Sequence, residues 1–188
     1  MSKSYFAEEI FESLDAAELG EEYEQCRFIN CDLSEADISN IIFVDCGFEN
    51  CNLSSAKVAG TAFRNVNFDG CKILGVSFDA ASDFLFEVGF SESILDSSSF
   101  YECRLRSVKF IKCRLRNVDL TGADLQSAEF DECDLADAKF ENTDLRNADL
   151  RTSFNYVFDP ELNRLKNARF SSAGIAGLLQ KYEIKIDQ

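Results

Sequence analysis

Eight cysteines carry most of the latent chemistry of this chain: Cys26, Cys31, Cys46, Cys51, Cys71, Cys103, Cys113 and Cys133. Thiolates act as nucleophiles, hold zinc and pair as disulfides, and each role needs company: a base or cation, further ligands, or a second thiol facing the first. That company is missing. Histidine is absent, which removes Ser-His-Asp and Cys-His catalysis, imidazole metal ligands and imidazole proton transfer. No CxxC pair occurs either. A second cluster is basic: Arg104, Arg106, Lys109, Lys112, Arg114 and Arg116 follow one another with no acid between them. Against it stands the whole chain, with 19 Lys and Arg to 34 Asp and Glu, a net charge of −15 and a pI of about 4.4. Such a surface repels nucleic-acid phosphate and anionic lipid on average. These residue types predict a protein that is not an enzyme, with no cofactor, no metal, no direct nucleic-acid binding and no membrane contact.

What must position these residues is a chain of 188 residues, a one-domain length. It has no apolar run near the ~18 residues of a membrane span and reads as cytoplasmic. Its period is five. Apolar residues recur from Phe28 through Leu33, Ile38 and Phe43 to Phe78, eleven positions without exception, and from Phe90 through Leu95 and Phe100 to Leu150, thirteen more. Two residues before nearly every one sits a small residue, and all eight cysteines fall there. Helices repeat at about 3.6 and strands at 2, so a spacing of five makes the chain turn once per repeat. The small and the large residue, two apart, point the same way from a short extended segment. The pattern predicts a β-solenoid with both inside. The thiols are then compact core residues and free, because stacked Cβ vectors stay ~4.8 Å apart where a bridge prefers ~3.5–4.5 Å.

Segments such as ADLQS AEFDE CDLAD AKFEN TDLRN ADLRT resemble the pentapeptide-repeat family, with consensus A(D/N)LXX, over about residues 24–152. The resemblance implies an all-β solenoid: a right-handed quadrilateral parallel β-helix with twenty residues per coil, about six or more coils in this chain. Residues twenty apart should then stack at ~4.8 Å. Phe28, Phe48 and Phe68 form one such column, Leu33, Leu53 and Ile73 a second, and Phe90, Phe110 and Phe130 a third. Outside, the same offset sets Arg104 against Asp124, Lys109 against Glu129, Lys112 against Glu132, Arg114 against Asp134 and Asp119 against Lys139. This ion-pair ladder answers most of the basic run. Arg106 and Arg116 stack over Gln126 and Ala136 and are left unanswered, which makes them candidates for a partner-facing spot.

The repeats divide the chain into an amino-terminal cap at 1–22, of helix or strand, the β-helix at 23–152 and a carboxy-terminal cap at 153–188. At 79–89 the register slips by two, as a corner insertion or a protrusion that touches a partner, with Leu85 a candidate inward residue of the new phase. Asp159-Pro160 predicts the start of a helical turn, and Ala168 and Phe170 one last repeat. Ser172 can cap a helix over 173–182 with Ile175, Leu178, Leu179 and Tyr182 on one face, ahead of an alternating tail at 183–186.

The stretch with Asp159, Pro160, Glu161, Asn163 and Arg164, and loosely Gly174 to Ile186, is similar to the ends of the quinolone-resistance (Qnr) and microcin-immunity members of that family. The resemblance implies a tail-to-tail homodimer, with Ile175, Leu178, Leu179 and Tyr182 as its contacts. It also implies an acidic, DNA-mimicking rod that binds a type II topoisomerase, DNA gyrase. Residues 1–78 hold 14 acids against 5 bases. Their outward acids Asp32, Asp37, Asp45, Glu49 and Asp69, with Arg106 and Arg116, form the candidate partner face. An interaction scaffold with an unrelated client is the alternative, since function in such folds lives on exposed faces.

Overall fold

A computed structural model of the protein describes residues 4–14 and 16–185. Its strands, in chain order, are β1 (Tyr5–Ala7), β2 (Ile10–Glu12), β3 (Glu22–Glu24), β4 (Arg27–Ile29), β5 (Ile42–Val44), β6 (Gly47–Glu49), β7 (Ala62–Arg64), β8 (Val66–Asp69), β9 (Val88–Ser91), β10 (Lys109–Ile111), β11 (Glu129–Asp131), β12 (Asp149–Leu150) and β13 (Arg169–Phe170). Strands β1, β3, β5 and β7 stack into one parallel sheet, and β2, β4, β6 and β8 to β13 into a second of nine strands. Parallel bridges build the remaining sides: Asp32, Asn52, Lys72, Ile94, Arg114, Asp134 and Phe154 in one column, and Ser77, Ser99, Asp119 and Lys139 in another. The chain advances one side every five residues, as a right-handed parallel β-helix of about eight turns. The four sides are named A to D in chain order, A beginning with β1 and B with β2, so A faces away from C.

The five-residue period becomes a side and a corner. Each central apolar residue points inward; Phe28, Phe43, Phe48 and Phe110 are fully buried. On side B, Phe11, Phe28, Phe48, Phe68, Phe90, Phe110 and Phe130 stack as one column with ring centroids 5.2, 4.6, 5.1, 5.2, 5.2 and 5.0 Å apart. Corners are turned by residues of positive φ, such as Asn30 (53°), Asn40 (62°) and Asp45 (53°). Short polar side chains tolerate this left-handed backbone best. Where a corner closes by hydrogen bond, as from Ala56 N–H to Leu53 O at 3.0 Å, the left-handed residue is third, as a type II turn requires.

Several expectations change here. Of the two forms expected for the amino-terminal segment it takes the strand: β1 and β2 pair with β3 and β4 at an offset of 17, with Phe6 beside Tyr23 and Phe11 beside Phe28. The first coil is a short one, and Phe6 to Phe11 already has the five-residue step. The register slip makes one long coil, with Phe68 paired to Phe90 and Ser77 to Ser99. The two extra residues lie beyond the 3-10 turn Phe78–Ala80, so the stacks on other sides continue in phase. Leu85 does not turn inward. It sits at φ 58° with 64% of its surface exposed, and Phe86 takes the inner place against Phe63 and Phe78. The coils also run past 152: Asp144 bridges Arg164, and Leu150 pairs with Phe170.

At the carboxy-terminal end, Asp159 caps the 3-10 turn Pro160–Leu162 by accepting from Glu161 N–H at 2.8 Å. The helix α1 (Ile175–Leu179) continues as a 3-10 turn to Tyr182. No side chain caps α1, Ser172 included; just ahead of it the Ser171 hydroxyl accepts from Gly174 N–H at 3.0 Å. The tail at 183–185 opens on a left-handed Glu183 and forms no strand; Ile186 lies outside the described residues. All eight cysteines are free, and all but Cys103 are buried.

Candidate interaction surfaces

The aspartate or asparagine that opens many sides has a structural task. Asp32 Oδ1 accepts from Ser34 N–H (3.1 Å) and Ser34 Oγ–H (2.6 Å), and Asp37 Oδ1 from Ser39 N–H (3.1 Å). Asp119, Asp124, Asp134, Asp144 and Asp149 accept from the backbone N–H two residues on in the same way. Each satisfies a corner donor, as an Asx turn does. Hydrogen bonds from Ser34 and Ser39 hold the Asp32 and Asp37 carboxyls below the usual carboxylate range. These acids thus serve the turn and keep their charge outward.

The candidate acids do not form one patch. Asp32 lies on side C and Asp37 on side D, whereas Glu49 and Asp69 are register neighbours on side B. Asp45 stands at the corner leading to side B and accepts from Asn65 Nδ2 at 2.6 Å. Asp69 accepts from Ser91 Oγ–H at 2.6 Å. Glu49 alone among the five is neutralised, by Arg27 at 2.7 Å.

Arg106 and Arg116 are not unanswered. Arg106 Nε lies 2.6 Å from Asp124 and Arg116 2.6 Å from Asp134, while Arg114 turns to Asp96 at 2.8 Å instead of its column neighbour Asp134. The backbone register stacks residues twenty apart as expected. A guanidinium is long enough to cross diagonally, two residues along the side and one coil over, and takes the acid at an offset of 18. Asp134 is the most buried of these carboxylates. Burial pushes it up, but hydrogen bonds from Asn155, Arg116 and Ala136 N–H outweigh that and leave it lowered.

Of the expected dimer contacts, Leu178 points the other way. It is 9% exposed and belongs to the same core as Tyr156 and Phe158, so it plugs the solenoid end. Helical spacing groups the four residues, but α1 ends at Leu179 and the solenoid end takes in Leu178 while leaving Ile175 and Tyr182 outside. Ile175 (44%) and Tyr182 (50%) are exposed, and Leu179 lines a hollow of about 560 Å³ with Val157, Ala176, Gly177 and Ile184. Sequence reasoning missed Val157 and Ile184 because they stand outside both the five-residue period and the helix. It placed the slip at 79–89 but not the exposed ring there: Phe84 is 63% exposed with the Arg64 guanidinium 5.3 Å from its ring. No helix among the described residues is long and apolar enough to cross a membrane, and no group of three or more Cys, Asp or Glu there is placed to hold a metal.

No curated protein matches the sequence. Among solved structures, a trypsin-treated variant of QnrB1, a plasmid-mediated fluoroquinolone resistance protein, is 18% identical, with 97% of both chains covered and a TM-score of 0.64. A second QnrB1 structure is 23% identical, covering 97% of this chain and 99% of that one, with a TM-score of 0.47. At 18% identity the first likeness is one of fold alone. The model of the pentapeptide repeat region matches residues 22–82 and 84–154, parting at the bulge. With its five-residue sides, left-handed corners and stacked phenylalanines under that match, the chain belongs to the pentapeptide-repeat family.

Proposed function

We propose that the protein is a non-enzymatic, cytoplasmic rod that mimics the charge of DNA, joins tail to tail as a homodimer, and binds a type II topoisomerase, DNA gyrase, giving protection from quinolones or a toxin. The observation that carries this reading is the unneutralised acid of the amino-terminal coils. Among the described residues, the one ion pair before residue 96 is Arg27–Glu49, whereas the other nine contacts lie from Asp96 onward. Eight coil steps at ~4.8 Å give ~38 Å, so two rods end to end reach ~77 Å, the length of about 23 base pairs. The described resistance activity of QnrB1 supports the protective part of the proposal.

The test is gyrase supercoiling with and without a fluoroquinolone, titrating this protein from substoichiometric to excess. Protection from the drug or inhibition of supercoiling is expected, weakening as salt rises. Asp45→Asn with Asp69→Asn keeps an acceptor oxygen at each site and removes the charge, and should raise the effective concentration several-fold. No effect on a cognate gyrase, together with recovery of one non-topoisomerase partner, would instead identify a scaffold with an unrelated client.

A further inference from the structure

Side A changes sign along the rod. At its amino-terminal end it carries Glu22 and Glu24 on β3, then the apolar Ile42 and Val44 on β5. Beyond the bulge it continues through the bridged column Arg104, Asp124, Asp144 and Arg164. The outward positions of those coils hold five cations, Arg104, Arg106, Arg146, Arg164 and Lys166, against two carboxylates, Asp124 and Asp144. The two acids are already committed, Asp124 to Arg106 at 2.6 Å and Asp144 to Arg146 at 2.6 Å with Arg164 at 3.6 Å. Arg104 and Lys166 have no ion pair among the described residues. Arg106 gives only Nε to Asp124, and its side chain is 68% exposed.

The surface here is a trough rather than a flat side. A hollow of about 640 Å³ is lined by Leu85, Phe86, Glu87, Arg104, Arg106 and Asp124. A second, of about 350 Å³, shares Arg106 and Asp124 with it and extends to Arg146 and Arg164. One end of the trough is therefore apolar, at Leu85 and Phe86 beside Glu87, and along the rest Arg104, Arg106, Arg146 and Arg164 outnumber Asp124 and Asp144.

We propose that this trough docks a short acidic peptide segment of a partner protein, with an apolar residue at the end that meets Leu85 and Phe86. Length and charge select that occupant. From Arg104 to Arg164 is three coil steps, ~14 Å, which four or five extended residues span at ~3.3 Å each. The acids of β3 lie four coils further on, ~19 Å away and beyond the ~8 Å Debye length at physiological salt, so the nearest acids are Glu87 and Glu102 at the Arg104 end, and the Arg146 and Arg164 end is the more basic. A nucleic acid, with a charge every ~1.7 Å of duplex, runs past the basic coils and meets the acidic ones. Glu87 stands at the apolar end, which places the ligand's carboxylates toward Arg146 and Arg164. Arginine guanidinium suits this task because its planar donors take a carboxylate two-handed.

The experiment is fluorescence anisotropy with a labelled Leu-Glu-Asp-Glu-Asp-Glu peptide and the full chain. Expected is saturable binding that weakens as salt is raised and falls at least tenfold in Arg104→Glu/Arg164→Glu, a change that leaves Asp124 paired with Arg106 and Asp144 with Arg146. Arg104→Gln alone should give an intermediate loss, and Lys72→Glu on the opposite side C none, with circular dichroism confirming that all three variants are folded. Absence of saturable binding overturns the proposal, as does a folded double variant within twofold of the native affinity. Equal affinity for a single-stranded oligothymidylate of six nucleotides overturns it too, because the trough would then be a general polyanion site.

Discussion

Cys51 donates its thiol to Phe28 O at 3.3 Å and Glu49 O at 3.4 Å. Thr61, Thr143 and Ser153 occupy the same kind of position and donate hydroxyls to Ile38 O, Leu120 O and Phe130 O at 2.7, 2.8 and 2.8 Å. The small inward residue is thus often a donor to the preceding coil, and cysteine is one way to make it. Burial pushes the Cys46 thiol up to about 11 and the half-buried Cys103 up to about 12, which keeps these two protonated at neutral pH. Cys51→Ser should cost about 1 kcal/mol or less, since a hydroxyl keeps the bond. Cys51→Leu should cost about 1–3 kcal/mol through overpacking, both read from urea unfolding. Equal stability of the two variants would show that the column has slack. The size restriction at these positions was legible in the sequence; the donor role was not, because alanine and valine share the position and conceal it.

At the scale of elements, the repeat predicts its own continuation and the structure shows how interruptions are absorbed. The coil with the slip lengthens outward, so Phe84 and Leu85 are expelled while Phe68 and Phe90 stay stacked at 5.2 Å. The carboxy-terminal cap follows different rules. A side chain on Gly177 would strike Tyr156 O, and one on Gly174 the Tyr156 hydroxyl, so both glycines allow α1 to lie directly on the last coil. Leu178 enters the core there, leaving Ile175 and Tyr182 outside. Ile175→Asp should therefore convert the proposed dimer to a monomer with an unchanged β-solenoid spectrum, measured by light scattering and circular dichroism. A variant that stays dimeric removes Ile175 from the interface.

For the whole molecule, a net charge of −15 and a set of strengthened carboxylates pull in opposite directions as pH falls. Hydrogen bonds from Arg146 and Arg151 lower the Asp144 and Asp149 carboxyls, and Ser34 and Ser39 do the same for Asp32 and Asp37. A carboxyl whose folded value lies below its unfolded one stabilises the fold above the unfolded value, ~3.9 for Asp, and loses that contribution as pH drops through the folded value. Self-repulsion relaxes over the same range. The turn-capping carboxylates are many and local, so Tm should hold between about pH 8 and 5 and fall below about pH 4. A Tm that rises steadily toward pH 2 would show that repulsion dominates.

The sequence by itself determined the period of five, the inward pair and the fate of the cysteines, which follow from which residues can face a narrow, close-packed core; the twenty-residue coil came from the family resemblance, and the stacked phenylalanines agreed with it. It also placed the acidic excess in the amino-terminal half. Only the tertiary structure decided which charges remain free, because Arg106 and Arg116 reach acids eighteen residues on, a diagonal that no count along the chain expresses. The same holds for the ends and the bulge. There the neighbour is no longer another copy of the repeat, and whether Leu178 or Ile175, Phe86 or Leu85, faces inward depends on the one surface each meets.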